Sequence, residues 1–453
     1  MAAQILAICI FVGMFLLIIL DKFERYYITL ASGALVLVLV FGVCMHSMSA
    51  IWGTLNLPSI FTSGFWYGAS EEGNSGINWS TIFFIAGMMI MVEGLGKAGF
   101  FRWLCLTLAK LVRYRIVPLL VCFMVLSAVL SMFIDSITVV LFLATVTLEL
   151  AQTMKFNPIP MILSEVFCAN LGGAATMCGD PPNIIVGTSL GYTFFDFISN
   201  TGVAVAICFV LVLIYFVLCF RKRLLRDEKN SGAAVCPQPG TAITNRPAFL
   251  LSAGVFLLAV ILLATHAQTK LTVACIGVIV AALSLVVIGC TSGGKAVLEI
   301  IKGVDYKTLL FFIGLFVSVA GLKETGVLDV IARFITTVSG GNAAIIVVII
   351  LWISAVTSAF VDNIPFAATM IPVVRSIAAA SGIDMGVLAW ALSLGTDLGG
   401  NATPIGASAN VVGTSVAAKG GYPISWGVYC KYCVGATVLV IAVSMGYLFL
   451  RYL

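Results

Sequence analysis

The sequence contains a copy of itself. At a constant offset of 227 residues, Thr81, Phe84, Gly87, Val92, Gly94, Leu95 and Gly99 recur as Thr308, Phe311, Gly314, Val319, Gly321, Leu322 and Gly326. In the same register Ser127–Ile137 recurs as Ser354–Ile364 with seven identities in eleven positions. Leu171-Gly-Gly-Ala-Ala-Thr176 returns as Leu398-Gly-Gly-Asn-Ala-Thr403, followed by Gly179/Gly406 and Asn183/Asn410. Shared apolar composition alone would not align Asp, Thr, Asn and paired glycines, so the chain is built from two related units.

Each unit is written in the alphabet of a membrane interior. Hydrophobic residues make up 61% of the chain and charged residues 9%, with a mean hydropathy of +1.15. Soluble domains carry roughly 25% charge, so a soluble enzyme is excluded. Apolar runs fall near 3–20, 26–45, 79–97, 200–220, 248–265, 271–290, 306–322 and 425–450. The first lacks a basic leader and a small-residue cleavage site, and is read as the first helix. Four more runs, near 116–150, 158–192, 343–374 and 385–415, are interrupted by polar or Gly/Pro-rich stretches.

The loop 46–78 has no Lys or Arg and carries Glu71 and Glu72, which places it outside. The segment with Lys97, Arg102, Lys110, Arg113 and Arg115 and the basic, mobile linker 221–246 belong in the cytoplasm. Alternation then puts both termini outside. Five crossings per unit is an odd number, so the second unit is upside down relative to the first. The expectation is an all-α polytopic membrane protein of two inverted repeats, 1–220 and 247–453. Each has five crossings plus one re-entrant hairpin, and the chain has two unwound transmembrane helices, one per repeat. The basic residues flank apolar segments, so the net charge of +5 does not indicate nucleic acid. Most of the 13 cysteines lie in apolar runs, where a thiol acts as a small hydrophobe. With only His46 and His266 and a single Cys430/Cys433 pair, no transition metal or cofactor is expected.

The stretch 116–150 is too long for one helix, and its polar break is Asp135-Ser-Ile-Thr138, with Asp362-Asn-Ile-Pro365 as its counterpart. Two full spans joined by an exposed turn would satisfy one copy. Recurrence of Ser-x-x-x-Asp in both copies favours re-entrant hairpins. The second pair of breaks, Leu171–Asn183 and Leu398–Asn410, carries Gly-Gly, and Asp180-Pro181-Pro182 reads as a helix start. Non-helical backbone at membrane depth is tolerated only against protein or a wet cavity. Four broken elements therefore converge on one polar space, where freed carbonyls suit cations and helix N-termini suit anions.

Intramembrane carboxylates are functional candidates by default. Asp135, Asp180, Asp362 and Asp397 lie in the breaks, Glu93 and Glu165 in helices. Helix capping is the plainer alternative for Asp135, Asp180 and Asp362, less favoured than a functional role, and it is compatible with ion binding. Asp397 pairs with Asn170 across the repeat. None of the four breaks contains Lys or Arg, which tilts the site toward Na+, H+ or a weakly charged solute.

Gly172-Gly-Ala-Ala-Thr-Met-Cys-Gly-Asp-Pro-Pro-Asn183, Asp362-Asn-Ile-Pro365 and Gly399-Gly-Asn-Ala-Thr-Pro-Ile-Gly-Ala-Ser-Ala-Asn410 resemble the ion transporter superfamily over almost the whole chain. That group includes arsenite permeases, D-type sodium/proton antiporters, the melanosomal P protein, and dicarboxylate and citrate carriers. Where dicarboxylate carriers have Ser-Asn-Thr, the tips here read Asp-Ser-Ile and Asp-Asn-Ile. The resemblance implies one cation or proton site from Ser131, Asp135, Ser136, Gly172 and Gly173, and a mate from Ser358, Asp362, Asn363, Gly399 and Gly400. Thr176, Asn183, Thr403 and Asn410 would line the substrate space. Thr138, Asn170, Asp180, Asp397, Asn401 and Ser408 are further substrate candidates, and Glu93 and Glu165 are secondary proton candidates.

The resemblance also implies a homodimer in a bacterial-type plasma membrane, with a rigid scaffold and a moving transport domain. The expected activity is secondary transport by alternating access, with sodium/proton antiport first. Proton-coupled export of arsenite or a similar oxyanion and sodium-coupled uptake of citrate or dicarboxylates are the alternatives. A passive channel fits less well with two occluding hairpins.

Overall fold

The computed structural model describes residues 2–20, 22–68, 76–230 and 237–453; Glu71 and Glu72, used above to orient the loop 46–78, lie outside them. The described chain is helical, with no strand and one isolated bridge between Tyr67 and Leu271. Among the described residues ten helices are long and apolar enough to cross a membrane.

The principal helices of the first half are α1 (Ala2–Leu20), α2 (Arg25–Leu35, continuing as a π-helix over Val36–Cys44), α3 (Trp79–Lys97) and α4 (Phe100–Leu111). They are followed by α5 (Ile116–Ser131), α6 (Ser136–Met154), α7 (Ile159–Gly173), α8 (Pro181–Leu190) and α9 (Val203–Asn230). The second half has α10 (Arg246–Thr269), α11 (Val273–Ser292), α12 (Tyr306–Glu324), α13 (Val327–Val338) and α14 (Ala343–Ser358). It ends with α15 (Asn363–Ser381), α16 (Met385–Gly399), α17 (Ser408–Lys419) and α18 (Trp426–Tyr452). From α3 to α6 the boundaries recur in α12 to α15 residue for residue at the sequence offset. The stretch 221–230, expected as linker, instead continues α9, as its Arg, Lys and Leu content favours. Further along, Pro237 accepts a hydrogen bond from the Tyr114 hydroxyl at 2.6 Å, docking the connection beside α4.

The equivalent helices α3 and α12 run in opposite directions. Asn78, before α3, and Glu324, at the end of α12, line one cavity. Glu93, late in α3, and Asp305, before α12, line another. The two halves also clasp each other. Helix α2 lies along α12 and α11 lies along α3, each crossing through glycine. A Cβ on Gly87 would stand 2.2 Å from the Gly277 carbonyl oxygen, and one on Gly314 would stand 2.3 Å from the Thr29 carbonyl carbon. Without a hydrophobic drive between helices in lipid, such close small-residue crossings supply the packing.

One helical hairpin belongs to each half. The first arms α5 and α14 have 16 residues, about 24 Å of helix at 1.5 Å per residue, short of the roughly 30 Å apolar core of a bilayer. Asp135 and Asp362 cap the second arms, accepting from the Thr138 and Ile364 backbone amides. At the centre, α7 is buried from Pro160 to Gly173 and α16 from Gly386 to Gly399. Gly172 and Gly399 make this possible: a Cβ on either would collide with the backbone of Ala128 or Ala355 in the neighbouring hairpin arm.

Candidate functional site

Four helices begin at one cavity of about 700 Å³: α6, α8, α15 and α17. Its wall includes Asp135, Thr138, Pro181, Asp362 and Ser408, so both hairpin tips and both helix restarts reach it. Each N-terminus brings amides with no partner inside their own helix and the positive end of a helix dipole.

A common skeleton holds both halves of the site. After each Gly-Gly, a threonine hydroxyl ties the loop to the hairpin tip: Thr176 donates to the Met132 carbonyl at 2.5 Å, and Thr403 donates to that of Ala359. An asparagine then clamps the loop ends. The Asn183 amide donates to the Gly173 and Thr176 carbonyls at 3.2 and 3.0 Å. The Asn410 amide donates to Gly400 and Thr403, both at 2.8 Å. Carbonyl oxygens crowd the glycine between the threonine and the asparagine, with those of Ser131 and Gly173 2.5 Å from where a Gly179 Cβ would stand. At Gly406 the Gly400 and Ser358 oxygens lie at 2.5 and 2.8 Å.

Across the halves, the Asn170 amide donates to the side-chain oxygens of Asn401 at 2.9 Å and Asn410 at 2.8 Å. Ser393 donates to the Asn183 side-chain oxygen at 2.5 Å and stands one turn before Asp397 on α16. Asp397 is fully buried, and neither carboxylate oxygen has a hydrogen-bond partner among the described residues.

The tips then diverge. Asp362 is held by the Arg25 guanidinium at 2.7 Å and by the Ser408 hydroxyl at 2.9 Å. Asp135 accepts from the Thr138 hydroxyl at 3.1 Å, and its Oδ1 has no partner. Ser136 donates to Asp180 at 2.5 Å. Its counterpart Asn363 is buried, but the position matching Asp180 is Ala407.

Two sequence candidates stand apart. Glu93 sits on the cavity rim with its side chain about one-third exposed, 3.9 Å from Lys97. Glu165 is buried between α5 and α6, accepting from the Thr147 hydroxyl at 2.5 Å, and does not line the cavity. Among the described residues no group of three or more His, Cys, Asp or Glu is arranged to hold a metal ion.

Sequence reasoning missed Arg25, together with Lys22, Asp305 and Lys307 at the same cavity. The four breaks do lack basic residues, but α2 delivers one from outside them. Arg25 reads in sequence as an ordinary flanking charge, and the repeat register gives it no counterpart.

Such a fold and site define a polytopic membrane transporter. The sequence model described as citrate transporter matches residues 15–395, and the chain belongs to that family. An uncharacterized transporter of Mycobacterium tuberculosis is 33% identical over 99% of both chains. The 46 kDa membrane protein of Mycobacterium leprae is 32% identical, also over 99% of both. The human P protein is 27% identical over 83% of this chain and 53% of its own length. Two solved structures share the fold. The YdaH transporter of Alcanivorax borkumensis has a TM-score of 0.56 and 16% identity, covering 87% of this chain and 88% of its own. MtrF of Neisseria gonorrhoeae has 0.57 and 11%, covering 88% and 84%.

Proposed function

We propose that the protein is a cation-coupled secondary transporter working by alternating access, and that it exchanges Na+ for H+. The observation that carries this reading is the charge of the cavity wall. Asp135, Asp305, Asp362, Glu24 and Glu93 face Lys22, Arg25 and Lys307, five carboxylates against three basic groups. Two of the carboxylates stand on hairpin tips beside crowded carbonyls, a setting for hard cations. An unaccompanied polyanion would meet a net negative wall.

In this reading Ser131, Asp135, Ser136, Gly172 and Gly173 with their counterparts Ser358, Asp362, Asn363, Gly399 and Gly400 form the coupling region. The polar groups of Asn170, Thr176, Asn183, Asn401, Thr403 and Asn410 hold its walls. The antiparallel course of α3 and α12 supports inverted repeats 1–220 and 247–453, and the short first arms support re-entrant hairpins. The cavity mouth carries Lys22, Arg25 and Lys307, which by the positive-inside tendency makes it cytoplasmic and leaves both termini outside. Hairpins and broken helices form the moving body. The clasped helices α2, α3, α11 and α12 form its scaffold, through which a homodimer would assemble.

Sodium-coupled uptake of a citrate-like anion is the second reading, favoured by the family's description. Arg25 is the basic group nearest a tip, but it is already engaged by Asp362. The test is a pH-gradient assay in proteoliposomes challenged in turn with Na+, Li+, K+, arsenite and citrate. Collapse of the gradient by Na+ or Li+ alone supports antiport. A response confined to arsenite or citrate moves the protein to the oxyanion or carboxylate reading, and unitary currents would make it a channel.

A further inference from the structure

We infer that the two hairpin-tip sites are not equivalent: the first binds one exchangeable cation through Asp135, Asp180 and Ser131, while Arg25 is the tethered cation of the second. The identity of the exchangeable ion rests on the transport reading above; the inequality of the sites rests on geometry.

The skeletons match, so the differences between them are informative. On the first side three buried oxygen atoms have no hydrogen-bond partner among the described residues: Asp135 Oδ1, Ser131 Oγ and Asp180 Oδ2. They belong to one neighbourhood. Ser136, next to Asp135, donates to Asp180, and the Ser131 carbonyl abuts Gly179. On the second side each counterpart is satisfied or missing. Asp362 Oδ2 accepts from Arg25 and Ser408, and its Oδ1 accepts from the Ile364 amide. Ser358 Oγ donates to the Thr396 carbonyl at 2.6 Å. At the place of Asp180 stands Ala407.

Buried polar atoms in native proteins are nearly always partnered, and each exception needs an explanation. Three unpartnered oxygens in one neighbourhood, two from carboxylates, are the donor types of a hard monovalent or divalent cation. Arg25 shows what a cation does at the matching place, because its guanidinium completes Asp362. Among the described residues no basic side chain pairs with Asp135. Gly87 meets the Gly277 carbonyl and its repeat mate Gly314 meets the Thr29 carbonyl, which aligns Thr29 with Gly277 and puts the uncharged Val273 at the position of Arg25. The other carboxylates beside the first site, Asp305 and Asp397, add negative charge. A fixed guanidinium cannot leave, so the second tip contributes no ion to the cycle. The pair also joins α2 to the second hairpin.

The test is equilibrium binding of radioactive Na+ to the purified full-length chain, with Arg25→Gln as the variant. One Na+ per parent chain and two per Arg25→Gln chain support both the inference and the transport reading. None in the parent and one in the variant supports the tethered cation while removing Na+ as the parent's ion. One in each overturns the inference and leaves the transport reading. Two in the parent overturns it also, and none in either overturns both. Should Arg25→Gln elute as aggregate in size-exclusion chromatography, Asp180→Ala, which copies Ala407, replaces it. Loss of the bound Na+ supports the inference, and its retention overturns it.

Discussion

The two hairpin tips were built from one sequence and ended with opposite electrostatics. Both present an aspartate that caps the second arm, a serine four residues earlier and a threonine tied back to the tip. One tip faces Asp180 and keeps unpartnered oxygens; the other faces Ala407 and is neutralised by Arg25. Duplication explains the shared scaffold. Departures from it mark where the halves took different tasks, and the counterpart residue in the other half serves as a natural substitution for testing each departure.

The largest effect is expected at the tips. Asp135→Asn removes a charged ligand and should weaken Na+ dependence of gradient collapse by about a hundredfold, the scale of a lost charged hydrogen-bond partner. Asp362→Asn instead releases Arg25 into the cavity. One added unpaired positive charge should weaken the same dependence by about tenfold, or about 1.4 kcal/mol. Equal loss in the two variants would restore equivalence of the tips.

Next come the crossings that clasp the halves. Gly87→Val and Gly314→Val each drive a side chain into a backbone of the opposite half, 2.2 and 2.3 Å away. Each should destabilise by about 3 kcal/mol, read as a lowered unfolding midpoint and loss of a monodisperse peak. Gly33→Ala meets the Gly314 oxygen at 3.2 Å and should cost about 1 kcal/mol. A tolerated Gly87→Val beside a damaging Gly314→Val would show that only one crossing carries the scaffold.

How far the sequence could be read follows from what repeats. Apolar runs set the helices, and the constant offset exposed both polar breaks, because Asp, Gly-Gly, Thr and Asn keep register. Those residues prove to build the shared skeleton. Arg25, Asp305 and Lys307 were hidden for the complementary reason. Their importance comes from helices of one half lying against the other half, and neither periodicity nor register encodes that exchange. The glycines of the crossings were visible as repeated residues at Gly87 and Gly314, but their partners Gly277 and Gly33 do not share the offset. Gly172 and Gly399 read as ligands in sequence and are required in the fold by helix contact.

Glu165 sharpens the comparison on a buried, unshared carboxyl. Its counterpart is Leu392, and its partner Thr147 corresponds to Val374. Glu165→Leu therefore installs what the other half already packs. Removing one partner of a buried hydrogen bond costs stability only as far as the other is left unsatisfied, and the freed Thr147 hydroxyl can turn to a carbonyl of its own helix. The expected change in stability is within about 1 kcal/mol, with Na+-driven gradient collapse retained. Loss of collapse with Na+ binding intact would make Glu165 the proton carrier.

The smallest effect is expected where the short helices α4 and α13 meet the second hairpin arms. The repeat places Arg102 opposite Glu149 in one half and Asp329 opposite Ser376 in the other. Arg102 forms a two-pronged pair with Glu149 at 2.6 and 3.1 Å, and Ser376 donates to Asp329 at 2.6 Å. Both contacts are solvent-exposed, so Arg102→Ala and Ser376→Ala should each lower stability by about 0.5–1 kcal/mol. Salt separates them. At 1 M ionic strength the screening length falls to about 3 Å, so the Arg102→Ala effect should fade while that of Ser376→Ala, a hydrogen bond from a neutral donor, should persist. Thermal unfolding of both variants at low and high salt reads this directly. Equal salt dependence would mean that charge adds nothing to the first contact, and that both halves use this position only to fix where the short helix meets its hairpin.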